Sequence, residues 1–146
     1  MKQRGKVLVI EDDDHWHYDI KECLINAGFH VEVVTGFRAA LAKVQKELFH
    51  FITIDMQLKE TTTDANQFEG WDILDTVNKL RIQDRTPVMV ITGFEQEYHD
   101  LEKAKKAEPL FFMGKGSFDE KEFISIVIRE TDRTNLRFKD DHRESI

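Results

Sequence analysis

The sequence predicts an α/β fold, a parallel sheet with helices on both faces. Three features carry this prediction. Five short apolar runs rich in β-branched residues recur along the chain, a helical pattern follows each, and each run gives way to polar residues or glycine. Strands that alternate with helices in this way form a parallel sheet, through right-handed crossovers that bury both of its faces.

Lys6–Ile10 is the first strand, an apolar run bounded by charges. Asp14 is the expected N-cap of a helix that reaches Ala27 and is closed by Gly28. His30–Thr35 is the second strand. Gly36 separates it from a helix with Phe37, Ala40, Leu41, Val44 and Leu48 on one face. Phe51–Ile54 is the third strand and ends at Asp55. Gln57–Gly70, polar and threonine-rich, reads as a loop, and Trp71–Ile82 as the third helix. Pro87–Thr92 is the fourth strand, with proline tolerated at its first position. Glu95–Ala107 is the fourth helix, Leu110–Met113 the short fifth strand, and a fifth helix starts at Asp119 and runs past Glu130. In that last helix Phe123, Ile126 and Val127 should face the sheet, with Ile124 and Ile128 partly on the other side.

The chain has 146 residues, the size of one domain, and its 40% hydrophobic content is enough for a core. A net charge of −7 argues against a broad nucleic-acid surface. No run approaches the roughly 18 apolar residues of a membrane span. The basic start is followed by only Val7-Leu8-Val9-Ile10 before the acids, too short for a signal-peptide core, so a cytoplasmic location is expected. A single cysteine, Cys23, excludes an internal disulfide and reads as a small core residue. His15 and His17 stand two positions apart, which is not one helix face, so they make a poor metal pair.

Ligands of such sheets bind beyond the carboxyl ends of the strands. The residues there are Glu11-Asp12-Asp13 after the first strand, Asp55 after the third, Thr92-Gly93 ending the fourth and Gly114-Lys115 ending the fifth. Each alone has a bland reading, since an aspartate at a strand end often only caps a turn. Together they put several carboxylates, a hydroxyl and a lysine on one edge. Carboxylates so gathered raise one another's pKa, and a hard divalent cation resolves the conflict; few carboxylates with open positions suit Mg²⁺. Cation, lysine and hydroxyl would cradle a phosphoryl group, and a central carboxylate can attack phosphorus to give an acyl phosphate.

These residues resemble the receiver domains of two-component response regulators. Lys6-Val7-Leu8-Val9-Ile10-Glu11-Asp12-Asp13 is similar to the family's opening, with its acidic pair on Glu11 and Asp12. Asp55 matches the phosphoacceptor, Thr92 the hydroxyl residue, Lys115 the lysine and Phe112 the switch aromatic. The likeness covers roughly residues 4–130. It implies a flavodoxin-like sheet of order 2-1-3-4-5 and a domain over residues 1–130, leaving 131–146 as a helical extension or linker. It implies that Asp55 takes a phosphoryl group from a sensor histidine kinase or phosphotransfer protein. Asp12 and Asp55 would bind Mg²⁺ directly, Glu11 through water and Gln57 through its backbone carbonyl. Lys115 would pair with Asp55 and then with the phosphoryl group, Thr92 would move to meet it, and Phe112 would turn inward behind it. Gly93 would leave an open approach to the acceptor. No stand-alone enzyme is implied, only a domain that assists its own phosphorylation and dephosphorylation. Phosphorylation would alter the face made by the fourth helix, fifth strand and fifth helix, the expected site of an output partner or a homodimer.

Three departures stand out. Fifteen positions separate Asp55 from Gly70, about twice the family's usual interval. Gly116 replaces the proline that usually follows the lysine, so the Lys115–Gly116 peptide should be trans, since a cis bond outside proline costs ~2.5–4 kcal/mol. Residues 131–146 carry four basic and four acidic residues around Leu136 and Phe138 and show no output signature. A degenerate receiver acting as a phosphorylation-independent interaction module is the alternative function. A haloacid-dehalogenase-type phosphatase would want a second aspartate where Gln57 stands, and a flavodoxin-like FMN site would be repelled by Glu11–Asp14.

Overall fold

The computed structural model describes residues 4–55, 69–93 and 111–144; at 69, 71 and 134–144 it describes backbone alone. The elements are β1 (Lys6–Ile10), α1 (Asp14–Asn26), β2 (His30–Val34), α2 (Phe37–Lys46), β3 (Phe51–Ile54), α3 (Glu69–Lys79), β4 (Val88–Thr92), β5 (Phe111–Gly114) and a C-terminal helix (Glu120–Glu144). The five strands form one sheet in the order β2-β1-β3-β4-β5, every pair parallel. The expected fourth helix (Glu95–Ala107), the Gln57-containing loop up to residue 68 and Leu110 lie outside the described residues.

Because side chains alternate along a strand, each strand feeds two cores. Leu8, Ile10, Ile52 and Ile54 join α2 and α3 on one face. Val7, Val9, Phe51 and Met89 join α1 and the C-terminal helix on the other. Phe123 and Val127 of that helix are fully buried, and Ile124, Ile126 and Ile128 pack at the margin of the same core. Ile126 is therefore less enclosed than its spacing suggests. Cys23 is buried, donates its Sγ–H to the Ile20 carbonyl, and has its thiol pushed up to about 12 by burial and by Glu120.

Several boundaries differ from the sequence pattern for local reasons. Asp13, not Asp14, caps α1, its carboxylate accepting from His15 N at 3.0 Å and Trp16 N at 3.2 Å. Gly28, at φ 99°, takes the left-handed conformation that ends that helix's turn. α2 stops at Lys46, because Glu47 turns to an extended conformation, and Leu48 is 66% exposed rather than on the helix's apolar face. α3 begins at Glu69, inside the expected loop, and ends at Lys79. Arg81, at φ 57°, breaks it, and Ile82 falls in a separate 3₁₀ turn. Pro87 precedes β4, and its carbonyl accepts from Ile52 N. Asp119 caps the C-terminal helix through Lys121 N and Glu122 N.

At the amino end of the strands, Lys6 and Lys43 share Glu32 and Glu47 at 2.6–3.2 Å. The Glu47 carboxyl is lowered to about 2 by Lys43 and then Lys6, and Glu32 is lowered mainly by Lys43. A lowered folded-state pKa contributes stability above the ordinary value of 4.5 that is lost as pH falls towards about 2. Glu47→Gln should therefore melt below the wild type at neutral pH, and the gap should close as acid titrates the cluster. Parallel thermal melts across that range check this; a gap independent of pH would contradict it.

Candidate functional site

The sheet register brings the predicted residues to one edge. Ile10 is level with Ile54, and Thr92 with Gly114, so Glu11, Asp55 and Lys115 each leave a strand at neighbouring positions. Backbone bonds fix them: Glu11 N donates to Val34 O at 3.1 Å and Asp55 N to Ile10 O at 2.9 Å.

Lys115 reaches across from the loop after β5. Its Nζ donates to Glu11 Oε1 at 2.9 Å and to Asp55 Oδ2 at 3.2 Å. Glu11 is 2% exposed and Asp55 5%. Glu11, Asp12 and Asp55 each offer an oxygen within 4.8 Å of the others. Burial, together with Asp55 beside it, pushes the Glu11 carboxyl up to about 8 against the pull of Lys115. Burial would lower the Lys115 ammonium, but Asp55 and Glu11 outweigh it and raise it above its ordinary value. Glu11 and Asp55 share Lys115, with Asp12 beside them at the margin, and among the described residues the three acids outnumber that lysine. An oxygen-only donor set with this imbalance fits a hard divalent cation such as Mg²⁺.

Thr92 is fully buried at the end of β4. Gly93 follows it, and a Cβ there would come within 3.8 Å of the Lys115 stem. Phe112 sits level with Val90 and packs, half-buried, on the α2–α3 core. Lys115–Ser117 forms a 3₁₀ turn, and the Lys115–Gly116 peptide is trans as expected. Gln57 lies outside the described residues. His17 pairs with Asp14 at 3.2 Å.

The sequence pattern places Trp16 near this edge, at the start of the first helix, but does not bring out its contact with Lys115. Its ring lies under the Lys115 ammonium, 5.3 Å from Nζ, and meets the edge of Phe118 at 5.4 Å. Its place in the first turn of a helix that begins just after the acids was the available signal.

Among solved structures, the fold is similar to the receiver domain of the sensor histidine kinase PA1611 from Pseudomonas aeruginosa PAO1, solved with a magnesium ion coordinated in its active-site cleft (19% identity, 88% of this chain and 98% of that one, TM-score 0.71). It is also similar to the receiver domain of the Francisella response regulator 1452 (24%, 89% and 98%, TM-score 0.72). A third similar structure is a CheY-like receiver domain protein from Methanospirillum hungatei JF-1 (21%, 90% and 97%, TM-score 0.70). At these identities the likeness speaks for the fold alone. A comparison with the curated proteins gave no match. The sequence profile of the response regulator receiver domain matches residues 7–127, most of the chain. The chain therefore belongs to the response regulator receiver domain family.

Proposed function

We propose that this receiver domain accepts a phosphoryl group on Asp55 from a sensor histidine kinase or phosphotransfer protein, in the cytoplasm, with Mg²⁺ as cofactor. The observation that carries the proposal is the Lys115 bridge, 2.9 Å to Glu11 and 3.2 Å to Asp55, inside a cluster of three acids. A structural ion pair needs one acid; two acids on Lys115 with Asp12 beside them suit a site that also receives a cation. Asp12 and Asp55 would hold Mg²⁺ directly, Glu11 through water and Gln57 through its backbone carbonyl. Bound Mg²⁺ would offset the carboxylates and polarise the phosphoryl oxygens.

In the transfer, an Asp55 oxygen forms the new bond to phosphorus as the donor's bond to phosphorus breaks, and the donor leaves with that electron pair. Lys115 turns from Asp55 to the phosphoryl oxygens, and the Thr92 hydroxyl meets them. Charge-assisted bonds worth ~1.5–3 kcal/mol each are enough to shift a loop equilibrium lying within a few kcal/mol. Phe112 then turns further inward, and the face carrying β5 and the C-terminal helix becomes the surface that an output partner or a second copy reads.

Incubation with acetyl phosphate and Mg²⁺ tests the proposal. The intact mass should rise by one phosphoryl group, and the product should be labile to hydroxylamine, as an acyl phosphate is. No gain in mass would favour the phosphorylation-independent interaction module.

Metal affinity gives a second check through Trp16 fluorescence. Mg²⁺ must displace the proton that Glu11 holds below about pH 8. Apparent affinity should therefore rise about tenfold from about pH 7 to about pH 9 and level off above. An affinity flat across that range would show that the Glu11 carboxyl is already ionised at neutral pH.

A further inference from the structure

Phosphoryl transfer as described makes no use of Trp16, yet the indole is the aromatic face beneath the Lys115 ammonium, at 5.3 Å. We propose that Trp16 is a positioning residue for Lys115, its ring holding the ammonium over the Glu11–Asp55 pair. The consequence for rate rests on the proposed function; the contact itself does not.

The contact closes a circuit. Glu11 Oε1 accepts from Lys115 Nζ at 2.9 Å and from Asp13 N at 3.2 Å. Asp13 in turn accepts from Trp16 N at 3.2 Å as the cap of α1. The acid that pairs with the lysine therefore also orients the residue that sets the indole's backbone. From the other side, Phe118 meets the indole edge-on at 86° and packs on Phe123, which is fully buried. Phe118 stands three residues after Lys115, so both ends of that segment lean on one ring. Gly116 between them has open space where a side chain would be, and glycine leaves its backbone free to move. Bracing from outside is what this segment needs.

The physics favours a positioning role over mere packing. A lysine ammonium on a flexible stem gains from the negative face of an indole, and gains more where water is partly excluded. Lys115's side chain is 14% exposed, and its partners among the described residues are the two acids and the ring. Transfer requires the ammonium to shift from Asp55 to phosphoryl oxygens without swinging into solvent. The ring restrains it without competing as a hydrogen-bond acceptor.

The test uses the full chain with Trp16→Met, which fills space without an aromatic face, Trp16→Phe, which keeps one, and Trp16→Leu should the methionine variant not fold. In NMR spectra, the Lys115 ε-methylene protons, assigned with Lys115→Arg, should be shifted upfield by the ring current in the wild type. They should return to ordinary values in Trp16→Met and stay partly shifted in Trp16→Phe. With acetyl phosphate and Mg²⁺, the rate of phosphoryl uptake should fall about two- to thirty-fold in Trp16→Met and recover in large part in Trp16→Phe. Unshifted ε-methylene protons in the wild type overturn the proposal. So does a wild-type rate in Trp16→Met, or a phenylalanine variant as slow as the methionine one. A wild-type chain that takes up no phosphoryl group overturns the proposed function and the rate effect, and the ε-methylene shift then decides the contact alone.

Discussion

Asp55→Asn is expected to leave the protein folded and unable to take up a phosphoryl group. The amide has no nucleophilic oxygen of comparable strength, so uptake from acetyl phosphate should fall below detection while the wild type gains mass. The fold should not suffer. The amide oxygen can still accept from Lys115, and Lys115 keeps Glu11 at 2.9 Å. Removing one negative charge relieves Glu11, whose carboxyl is pushed up partly by Asp55. In Mg²⁺-free buffer the variant should therefore melt at or above the wild type, and Mg²⁺ should stabilise it less. Loss of uptake together with unfolding would leave the role of Asp55 open; loss with a wild-type melt assigns it.

Lys115→Met should have the largest effect on stability. It strips the lysine that Glu11 and Asp55 share while leaving both acids almost fully buried. Removing one partner of a buried ion pair costs ~3–5 kcal/mol, and Lys115 keeps some solvent, so about 2–3 kcal/mol is expected. The sign with pH follows from Glu11. A carboxyl raised from 4.5 to about 8 costs the fold progressively more between those values and no more above; without Lys115, which pulls it down, the carboxyl stays protonated to higher pH and the cost goes on growing. The deficit of the variant should therefore be greatest near pH 9 and shrink in mild acid. Mg²⁺ at about a hundredfold excess over Kd adds ~2.7 kcal/mol to either protein, and the deficit should narrow because the variant, with its acids uncompensated, holds the cation more tightly. Denaturant melts at two pH values, with and without Mg²⁺, measure this. A variant as stable as the wild type at high pH would mean that the acids are not in conflict.

The sheet and most of the acidic edge were legible in the sequence, because both depend on local features. An apolar run that stops at a charge marks a buried strand and its end, so β1, β3 and Asp55 followed from pattern alone, and parallel topology then carried Glu11, Asp55 and Lys115 together. Helix ends were less legible. Asp13 and Asp14 are equally good caps by type; Asp13, in an extended conformation, is the one whose carboxylate accepts from His15 N and Trp16 N. Leu48 continued the α2 pattern by spacing, but Glu47 is pulled into an ion-pair cluster with Lys6 and Lys43 and turns the chain away. Arg81 carries no sequence sign of the left-handed conformation that ends α3's turn, a place where glycine is usual. The Trp16–Lys115 contact joins residues far apart in the chain, which helical periodicity cannot register.

The most direct measurement is to locate the phosphoryl group. Protein treated with acetyl phosphate and Mg²⁺ is reduced with borohydride, which converts an aspartyl phosphate to homoserine, then digested and mapped by mass spectrometry. Three acids lie within 4.8 Å of one another, so the map distinguishes chemistry from proximity. The reduced residue should be Asp55 alone, with Glu11 and Asp12 unmodified. Reduction at Glu11 or Asp12, or no reduced carboxylate in a chain that has gained mass, would contradict the assignment of Asp55 as the acceptor.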